Sequence, residues 1–337
     1  MRRGQEEEGG KFSLSCIFNK KMLQYDVKRA SKERWLLNLK KWEVAPLNRE
    51  RAAQIAERYS LPFFLSMMLE IRGFSSEEQI RGLLSGGQLS DPFLMKDMDK
   101  AAARIRRAME NFEKIAVYGD YDADGVTATA ILFTYLEAVG ADVIYYIPQR
   151  EGEGYGMNLG AVESLYHQGV SLIITVDNGI ASVQEVERAR ELGMDVVITD
   201  HHRPQAQIPS AYAVVDAYQP EDQSAFKDLC GAGVALKLVM ALEGEGAPEI
   251  LEEYADLAAL GTVADVVPVL GENRAIVKAG LRVLTRGGRA GVDALLEQSG
   301  MAGKELSATS LAFTVIPRLN ATGRMGAPER AVRLLTC

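Results

Sequence analysis

Three short segments contain most of the side chains that could do chemistry, and each follows a run of apolar, β-branched residues. Their acidic and imidazole side chains are Asp120, Asp122, Asp124, Asp177, Asp200, His201 and His202. Short apolar runs bounded by turn residues predict buried strands. Because the carboxyl ends of neighbouring parallel strands meet at one edge of a sheet, we expect these side chains to converge on one crevice. Carboxylates mixed with one or two imidazoles suit manganese or magnesium, with zinc at the borderline. The pattern predicts a two-metal hydrolase.

Each segment also has a simpler interpretation when it is taken alone. The alternating aspartates of 119–125 fit an Asp-rich turn, although the full calcium-loop template, with Gly at its sixth and Glu at its twelfth position, does not fit. Asp177 begins Asp-Asn-Gly, which is good turn chemistry. His201 and His202 are two of only three histidines in the chain and follow an acidic residue, but a chance surface pair stays open.

A fourth acidic candidate is Asp265, within Gly-Thr-Val-Ala-Asp-Val-Val-Pro. It closes a predicted helix that is rich in Ala and Leu, and an apolar turn follows it. A carboxylate in such apolar surroundings costs free energy unless it is paired or bound to a metal. Asp265 therefore joins the candidate ligands.

The elements that must position these residues alternate between strand and helix from Ile115 onward. Such alternation predicts an α/β fold, with a mostly parallel sheet covered by helices on both faces and helical segments at either side. Within the N-terminal helical part, Ser75 and Glu78 are spaced as a capping box. The predicted organisation is 1–45, a charged and partly ordered lead-in; 46–112, an N-terminal helical segment; 113–270, the catalytic α/β domain; and 271–337, a helical extension.

Composition excludes some classes of protein. Hydrophobic residues make up 47% of the chain, yet no uncharged apolar run reaches eighteen residues, so we expect no transmembrane helix. Cys16, Cys230 and Cys337 are few and far apart, which favours a reducing cytoplasm over a disulfide framework. The net charge of −8 argues only weakly against nucleic acid. A carboxylate cluster for metals adds negative charge by itself, and bound cations invert the local field.

The order of the motifs resembles a known family. They are Asp-Tyr-Asp-Ala-Asp-Gly, Val-Asp-Asn-Gly, Thr-Asp-His-His, Gly-Ala-Gly-Val-Ala, Gly-Thr-Val-Ala-Asp-Val-Val-Pro and Pro-Arg-Leu-Asn-Ala. From about Trp42 onward, the chain resembles the DHH phosphoesterases, named for Asp-His-His, and within them the RecJ-type single-strand-specific exonucleases. Oligoribonuclease-like and pyrophosphatase branches share the first three motifs. The Asp-Tyr-Asp-Ala-Asp form, the Glu-Gly-Tyr-Gly segment at 153–156 and the Pro-Arg-Leu-Asn segment indicate the RecJ branch.

The resemblance implies a pair of divalent cations, typically manganese, with magnesium as the alternative. Asp122 and Asp124 would each hold one metal, and Asp177 would bridge the two. His201 and Asp265 would complete the second ion. Two cations about 3.5–4 Å apart hold both the attacking and the leaving oxygen of a phosphodiester.

Three further residues receive supporting roles from the same resemblance. His202 would face the scissile phosphate, Asp120 would position water or a ligand, and Asp200 would orient the imidazoles. Many members of the wider family carry a metal-binding His where this chain has Tyr118. A phenol is a poor ligand for these ions, so we expect the first metal to be weaker or more hydrated.

Candidate substrate contacts lie outside the metal motifs. Arg150, Arg318 and Arg324 could make bidentate phosphate contacts, and Asn320 could add a hydrogen bond. For any one arginine a solvated surface charge is an equal alternative, although context favours Arg150 and Arg318. Tyr155 could stack on a base, as in other single-strand binders, or pack beneath its loop.

The resemblance thus predicts a 5′-3′ exonuclease of single-stranded DNA that acts in recombination and repair, with a single-strand-binding protein and a helicase as further candidate partners. A DHH phosphodiesterase on small nucleotides or short oligonucleotides is one alternative, and an inactive DHH scaffold that binds replication partners is another. Relatives continue into a DHH-associated domain and an oligonucleotide-binding domain. Because neither pattern occurs before Cys337, we expect the chain to be a fragment.

Overall fold

The computed structural model describes residues 45–74, 76–244 and 247–337. Nearly all of the predicted lead-in therefore lies outside the described residues. The chain divides into two compact units, Met1–Gly73 and Phe74–Cys337. The described part of the first unit contains helices α1 (Arg49–Tyr59) and α2 (Phe63–Ile71). The Asn48 side chain caps α1 by accepting the Arg51 N–H at 3.0 Å.

The second unit begins with helix α3 (Glu77–Ser85), a short 3₁₀ turn and helix α4 (Met98–Glu110). The predicted capping box is wrong by one residue. Ser76 and Gln79 form it, with reciprocal bonds of 3.1 and 3.2 Å, and Ser75 lies outside the described residues. The same capping chemistry is available at both serines, so local sequence alone does not decide the first helical residue. Gly86 ends α3 in the left-handed region, which glycine adopts without a steric penalty.

A five-stranded parallel sheet forms the centre of the second unit, and this confirms the predicted fold class. The strands lie in the order β2-β1-β3-β4-β5. Every neighbouring pair is parallel, so all five carboxyl ends lie along one edge. We call this the carboxyl edge of the sheet. The strands are β1 (Lys114–Tyr118), β2 (Val143–Tyr146), β3 (Val170–Val176), β4 (Asp195–Thr199) and β5 (Ala213–Val215).

Helices cover both faces of this sheet. Alternate residues of β1 point to opposite sides, so Ile115 and Val117 join one hydrophobic core while Ala116 and Tyr118 join the other. The first core includes residues of α4, α5, α8 and α9, and the second includes residues of α6 and α7. The covering helices are α5 (Ala123–Ala138), α6 (Leu159–His167), α7 (Val183–Glu191), α8 (Gly231–Glu243) and α9 (Ala247–Ala264).

The C-terminal part is helical, as predicted. Its helices are α10 (Gly271–Arg286), α11 (Ala290–Gln298), α12 (Ala308–Ser310), α13 (Ile316–Arg324) and α14 (Glu329–Leu335). A π-helical turn over Leu311–Val315 joins α12 to α13. Pro317 follows this turn and has no N–H to bond back to Phe313, which favours the wider turn there. None of the helices in the described ranges is long and apolar enough to cross a membrane.

A buried ion pair fastens α8 to α10. Lys237 Nζ lies 2.8 Å from a Glu272 carboxylate oxygen, and both side chains are almost completely buried. Ser90 completes the network, because its hydroxyl donates to Glu272 at 2.6 Å and accepts from Lys237 at 3.0 Å. All partners are satisfied, so loss of one leaves a buried charge without compensation.

We expect Lys237→Met to lower the free energy of unfolding by about 3–5 kcal/mol, because Glu272 would stay buried without its cation. Urea denaturation of the second unit measures this. The control is Arg282→Ala, which breaks the exposed pair with Glu252 and should cost at most about 1 kcal/mol. Equal losses of unfolding free energy in the two variants would contradict the stabilising role of the buried Lys237–Glu272 pair.

Candidate metal centre

The first acidic segment makes the turn from β1 into α5. Asp122 is the N-cap of α5, and its side chain accepts the Gly125 N–H at 3.0 Å. Asp120 is buried, and neither of its carboxylate oxygens has a hydrogen-bond partner in the described structure. A Cβ on Gly125 would lie only 2.7 Å from the Asp120 Cβ, so the turn needs glycine at this position.

Asp124 is held by the beginning of α8. One carboxylate oxygen accepts the Gly231 N–H at 2.7 Å, and the other accepts the Ala232 N–H at 2.9 Å. These are first-turn amides of a thirteen-residue helix, whose N-terminal end favours negative charge. The Gly-Ala-Gly segment therefore fixes a buried carboxylate at the carboxyl edge of the sheet, a role that we did not predict from sequence.

Asp177 follows the central strand β3. Its backbone lies in the left-handed region, with φ 63°, which Asp tolerates better than most residues. Asn178 secures the turn, since its side-chain amide donates to the Val176 and Tyr118 carbonyls at 3.0 and 3.2 Å. The Asp177 carboxylate thereby comes to within 3.0 Å of His201 Nε2. Both of these atoms are buried and lack a hydrogen-bond partner among the described residues.

Asp200 organises the two histidines after β4. One of its oxygens accepts the backbone N–H groups of His201 and His202 at 2.7 and 3.1 Å. The same oxygen lies 2.7 Å from His202 Nδ1, and the other accepts the Ile180 N–H at 2.9 Å. The predicted orienting role of Asp200 is consistent with this geometry.

Asp265 follows the end of α9 and faces the same crevice. Its carboxylate lies 3.8 Å from His201 Nδ1. Because His201 Nε2 is 3.8 Å from Asp124 and 3.0 Å from Asp177, one imidazole lies among three carboxylates. The chain thus brings residues 141 positions apart to one point.

Three overlapping groups could each hold a metal ion, since one ligand atom from each member lies within 4.8 Å of the others. Asp177 belongs to two of the groups and His201 to two. The groups are Asp120, Asp122 and Asp177; Asp124, His201 and Asp265; and Asp177, His201 and His202. Two neighbouring cation sites that share Asp177 fit this arrangement. Asp120 is available as a direct ligand, whereas the sequence placed it only in a supporting position.

The electrostatics of the cluster favour cations. Burial, reinforced by neighbouring carboxylates, raises the pKa of Asp120 to about 7 and that of Asp265 to about 6. Burial also raises the pKa of Asp177 well above its usual value. Asp200 is the exception: burial alone would raise its pKa, but the bonds from His202 outweigh this and hold it below its usual value. Nearby cations would return the raised carboxyls to their ionised form.

The residues present fit divalent cations of the manganese or magnesium kind. Buried polar atoms without partners are costly and rare, yet Asp120, Asp177 and His201 all have them at one place. The donors are carboxylate oxygens with a single central imidazole, the set that such ions prefer.

Tyr118 takes no part in these groups. Its ring lies in the core on the α6 and α7 side of the sheet, and its hydroxyl donates to the Gly156 carbonyl at 3.2 Å. Asn158 donates to the same hydroxyl at 3.2 Å. Tyr118 therefore anchors the loop that carries Tyr155. The expected weakness of the first metal site stays a prediction.

The predicted substrate contacts lie in different surroundings. Tyr155 is half exposed, and its hydroxyl donates to the Asp177 carbonyl at 3.0 Å and lies 3.2–3.3 Å from the ring nitrogens of His202. Asn320 accepts the Ala123 N–H at 2.8 Å and so helps to cap α5. Arg318 is exposed and donates to the Thr314 carbonyl of its own helical segment. Their roles toward a substrate stay predictions.

Arg150 and Arg324 are both exposed. The Arg150 guanidinium lies over the Tyr121 ring, 5.5 Å from the centroid, and Tyr121 stands between Asp120 and Asp122. Arg150 is therefore near the metal groups, whereas no contact within the described ranges links Arg324 to them.

We expect Gly231→Ala to weaken Mn²⁺ binding at least about tenfold, because the new Cβ would lie 2.7 Å from Asp177 Cγ and push that carboxylate aside. Isothermal titration with Mn²⁺ measures this. The control is Gly160→Ala in α6, where the nearest atom is 3.5 Å away and Mn²⁺ affinity should stay unchanged. Unchanged affinity in a folded Gly231→Ala protein would contradict the geometry.

Comparisons with known proteins show similarity over most of this chain. Residues 114–262 match the model of the DHH family, N-terminal domain. The chain is 44% identical over 297 residues to the single-stranded-DNA-specific exonuclease RecJ of Bacillus subtilis (strain 168), covering 88% of this chain and 37% of that protein. It is 43% identical to the RecJ of Thermus thermophilus over 72% of this chain and 35% of that protein. The chain spans about a third to a half of the length of the curated RecJ proteins that it matches.

Two solved structures are similar to the fold. A crystal structure of exonuclease RecJ bound to manganese gives a TM-score of 0.65 at 43% identity, over 72% of this chain and 61% of that one. A RecJ from Thermus thermophilus in complex with Mn²⁺ gives a TM-score of 0.73 at 35% identity, over 87% of this chain and 42% of that one. Residues 114–262 are therefore a DHH-family N-terminal domain, and most of the chain is similar to RecJ exonucleases.

Proposed function

We propose that this chain is the catalytic part of a divalent-metal-dependent exonuclease that hydrolyses phosphodiester bonds of single-stranded DNA from the 5′ end, in recombination and repair. The observation that carries the proposal is the pair of ligand groups joined at Asp177 and His201, whose facing atoms are 3.0 Å apart without a hydrogen bond. The similarity to single-stranded-DNA-specific RecJ exonucleases supports the substrate. The direction of attack follows from the family resemblance alone.

Two cations, Mn²⁺ first and Mg²⁺ second, are the proposed cofactors. Asp120 and Asp122 would hold one ion, and Asp124, His201 and Asp265 would hold the other. Asp177, which groups with Asp120 and also with His201, would contact both ions. When bound, such a pair neutralises phosphate charge and lowers the pKa of a water that attacks the phosphorus. Solved RecJ structures contain Mn²⁺ or Mg²⁺, which supports this choice.

His202 is the proposed proton donor to the leaving oxygen. Its side chain is 44% exposed and so can reach a substrate at the mouth of the crevice. The hydrogen bond with Asp200 raises the pKa of the imidazole, and this favours the protonated form that a general acid needs. Asp200 keeps its charge and fixes the ring from one side, while Tyr155 contacts the ring from another.

Arg150 is the proposed contact for a phosphate of the DNA strand beside the metal groups. Arg150 rests on Tyr121 beside the first acidic turn, where it can offer paired N–H donors to a phosphate. A single-strand-binding protein and a helicase stay predicted partners.

We expect Asp177→Asn to lower release of 5′-mononucleotides at least about 100-fold, because a neutral amide cannot bridge two cations. Asn keeps the shape and tolerates the left-handed backbone, so the fold should persist. Wild-type release should stop with EDTA and return with Mn²⁺. The control is Asp142→Ala, an exposed carboxylate before β2 at the opposite edge of the sheet, which should retain full activity. Full activity in Asp177→Asn would refute the proposal.

We expect His202→Gln to lower kcat about 100-fold while Mn²⁺ affinity stays within about twofold, since proton donation contributes roughly that factor. Steady-state kinetics on a single-stranded oligonucleotide, with Mn²⁺ titrations on the same samples, separate the two effects. His201→Gln, which removes a proposed ligand, is expected to lose Mn²⁺ affinity. If His202→Gln lost Mn²⁺ affinity in the same way, His202 would be a metal ligand and not a proton donor.

A further inference from the structure

Arg203 directly follows the two histidines, and its guanidinium lies over an aromatic ring. The guanidinium carbon is 4.3 Å from the centroid of the Tyr218 ring. Tyr218 is itself held in place: its hydroxyl donates to Asp228 at 2.8 Å, and its backbone N–H donates to Asp216 at 2.7 Å. The stacked guanidinium is therefore fixed before any ligand arrives.

The donors of Arg203 are unused. Arg203 is exposed, and within the described ranges it forms no ion pair and no hydrogen bond. Two arginines of α7 behave differently. Arg188 and Arg190 of α7 both pair with glutamates, at 2.9 Å in the first case. A guanidinium that is positioned by an aromatic ring and lacks a carboxylate partner is suited to an anion from outside the chain.

The strand order places Arg203 at one end of the carboxyl edge. Arg203 follows β4, and Tyr218 follows the edge strand β5. Arg150 and Tyr121 form a second arginine–tyrosine pair at the other end, after β2 and β1. Asp177 follows β3, between the two pairs. With about 4.8 Å between neighbouring strands, the four gaps from β2 to β5 span about 19 Å.

We propose that Arg203, positioned by Tyr218, binds a backbone phosphate of the single-stranded substrate at the β4–β5 end of the carboxyl edge. This inference rests on the proposed function and deepens it. The carboxylate cluster repels a polyanion on either side of the metals, and a bidentate guanidinium contact offsets that repulsion. With Arg150 at the other end, the strand lies along the carboxyl edge and passes over Asp177.

The test compares Arg203→Ala, Arg203→Lys and Arg190→Ala in the full 337-residue chain. Arg190 is the matched control, because it is exposed on α7 near the start of β4, at the opposite edge of the sheet. We expect Arg203→Ala to raise KM for a 12-nucleotide single strand about tenfold and to reduce the salt dependence of binding by about 0.7 log units per log unit of salt. Arg203→Lys should have a KM between those of Arg203→Ala and wild type. Arg190→Ala should have the KM and salt dependence of wild type.

A second readout separates binding of a neighbouring phosphate from a change in folding. The small diester bis(p-nitrophenyl) phosphate has no neighbouring phosphate, so the ratio of kcat/KM for the oligonucleotide to that for this diester should fall about tenfold in Arg203→Ala. Tyr218→Leu should shift the ratio in the same direction, because the guanidinium loses its platform.

An unchanged ratio and salt slope in Arg203→Ala would overturn the inference, and so would an equal loss on both substrates. If the wild-type protein hydrolyses the diester and Arg203→Ala hydrolyses the oligonucleotide as well as wild type does, only this inference is refuted. Failure of wild type to hydrolyse either substrate removes the proposed function as well.

Discussion

Mutual repulsion among carboxylates at the carboxyl edge of the sheet is the constraint that shapes this molecule. Asp120, Asp124 and Asp177 are buried close together, and Asp122 and Asp265 stand beside them. Such groups cannot all carry charge without compensation. Within the described residues the compensation is partial: one imidazole lies among the carboxylates, and two helix amides hold Asp124. Cations supply what is missing.

The fold maintains this costly arrangement by fixing the backbone around it. Asn178 ties the ends of β1 and β3, Asp200 ties the two histidines to the loop after β3, and Asn320 ties α13 to the start of α5. Glycine residues leave the space that the carboxylates need. A Cβ on Gly261 would lie 2.6 Å from a carboxylate oxygen of Asp124, so α9 can approach the cluster only with glycine there.

The parts that were predictable from sequence are those encoded locally. Apolar runs at 115–117, 172–174 and 196–198 identified the strands β1, β3 and β4, and parallel pairing then placed the following acids at one edge. The start of α3 was wrong by one residue because adjacent serines offer the same cap. Contacts between segments far apart in sequence could not be predicted, since no local pattern encodes them. The amides of Gly231 and Ala232 on Asp124, 107 and 108 residues away, are the clearest example.

Tyr155 and Asn320 show a second limit of sequence reasoning. Base stacking and burial beneath the loop were the two alternatives for Tyr155, yet its hydroxyl joins the Asp177 carbonyl to the His202 ring. Asn320 was expected to contact substrate, and its amide oxygen has a further role that the sequence did not indicate, since it accepts the Ala123 N–H of α5. A polar side chain has several possible partners, and only the folded structure decides which of them comes within reach.

The number and spacing of bound ions test the central claim most directly. Equilibrium dialysis should give two Mn²⁺ per chain, and electron paramagnetic resonance should show the two ions magnetically coupled, as expected at about 3.5–4 Å. One ion per chain, or two ions without coupling, would show that the carboxylates around Asp177 and His201 do not form adjoining sites.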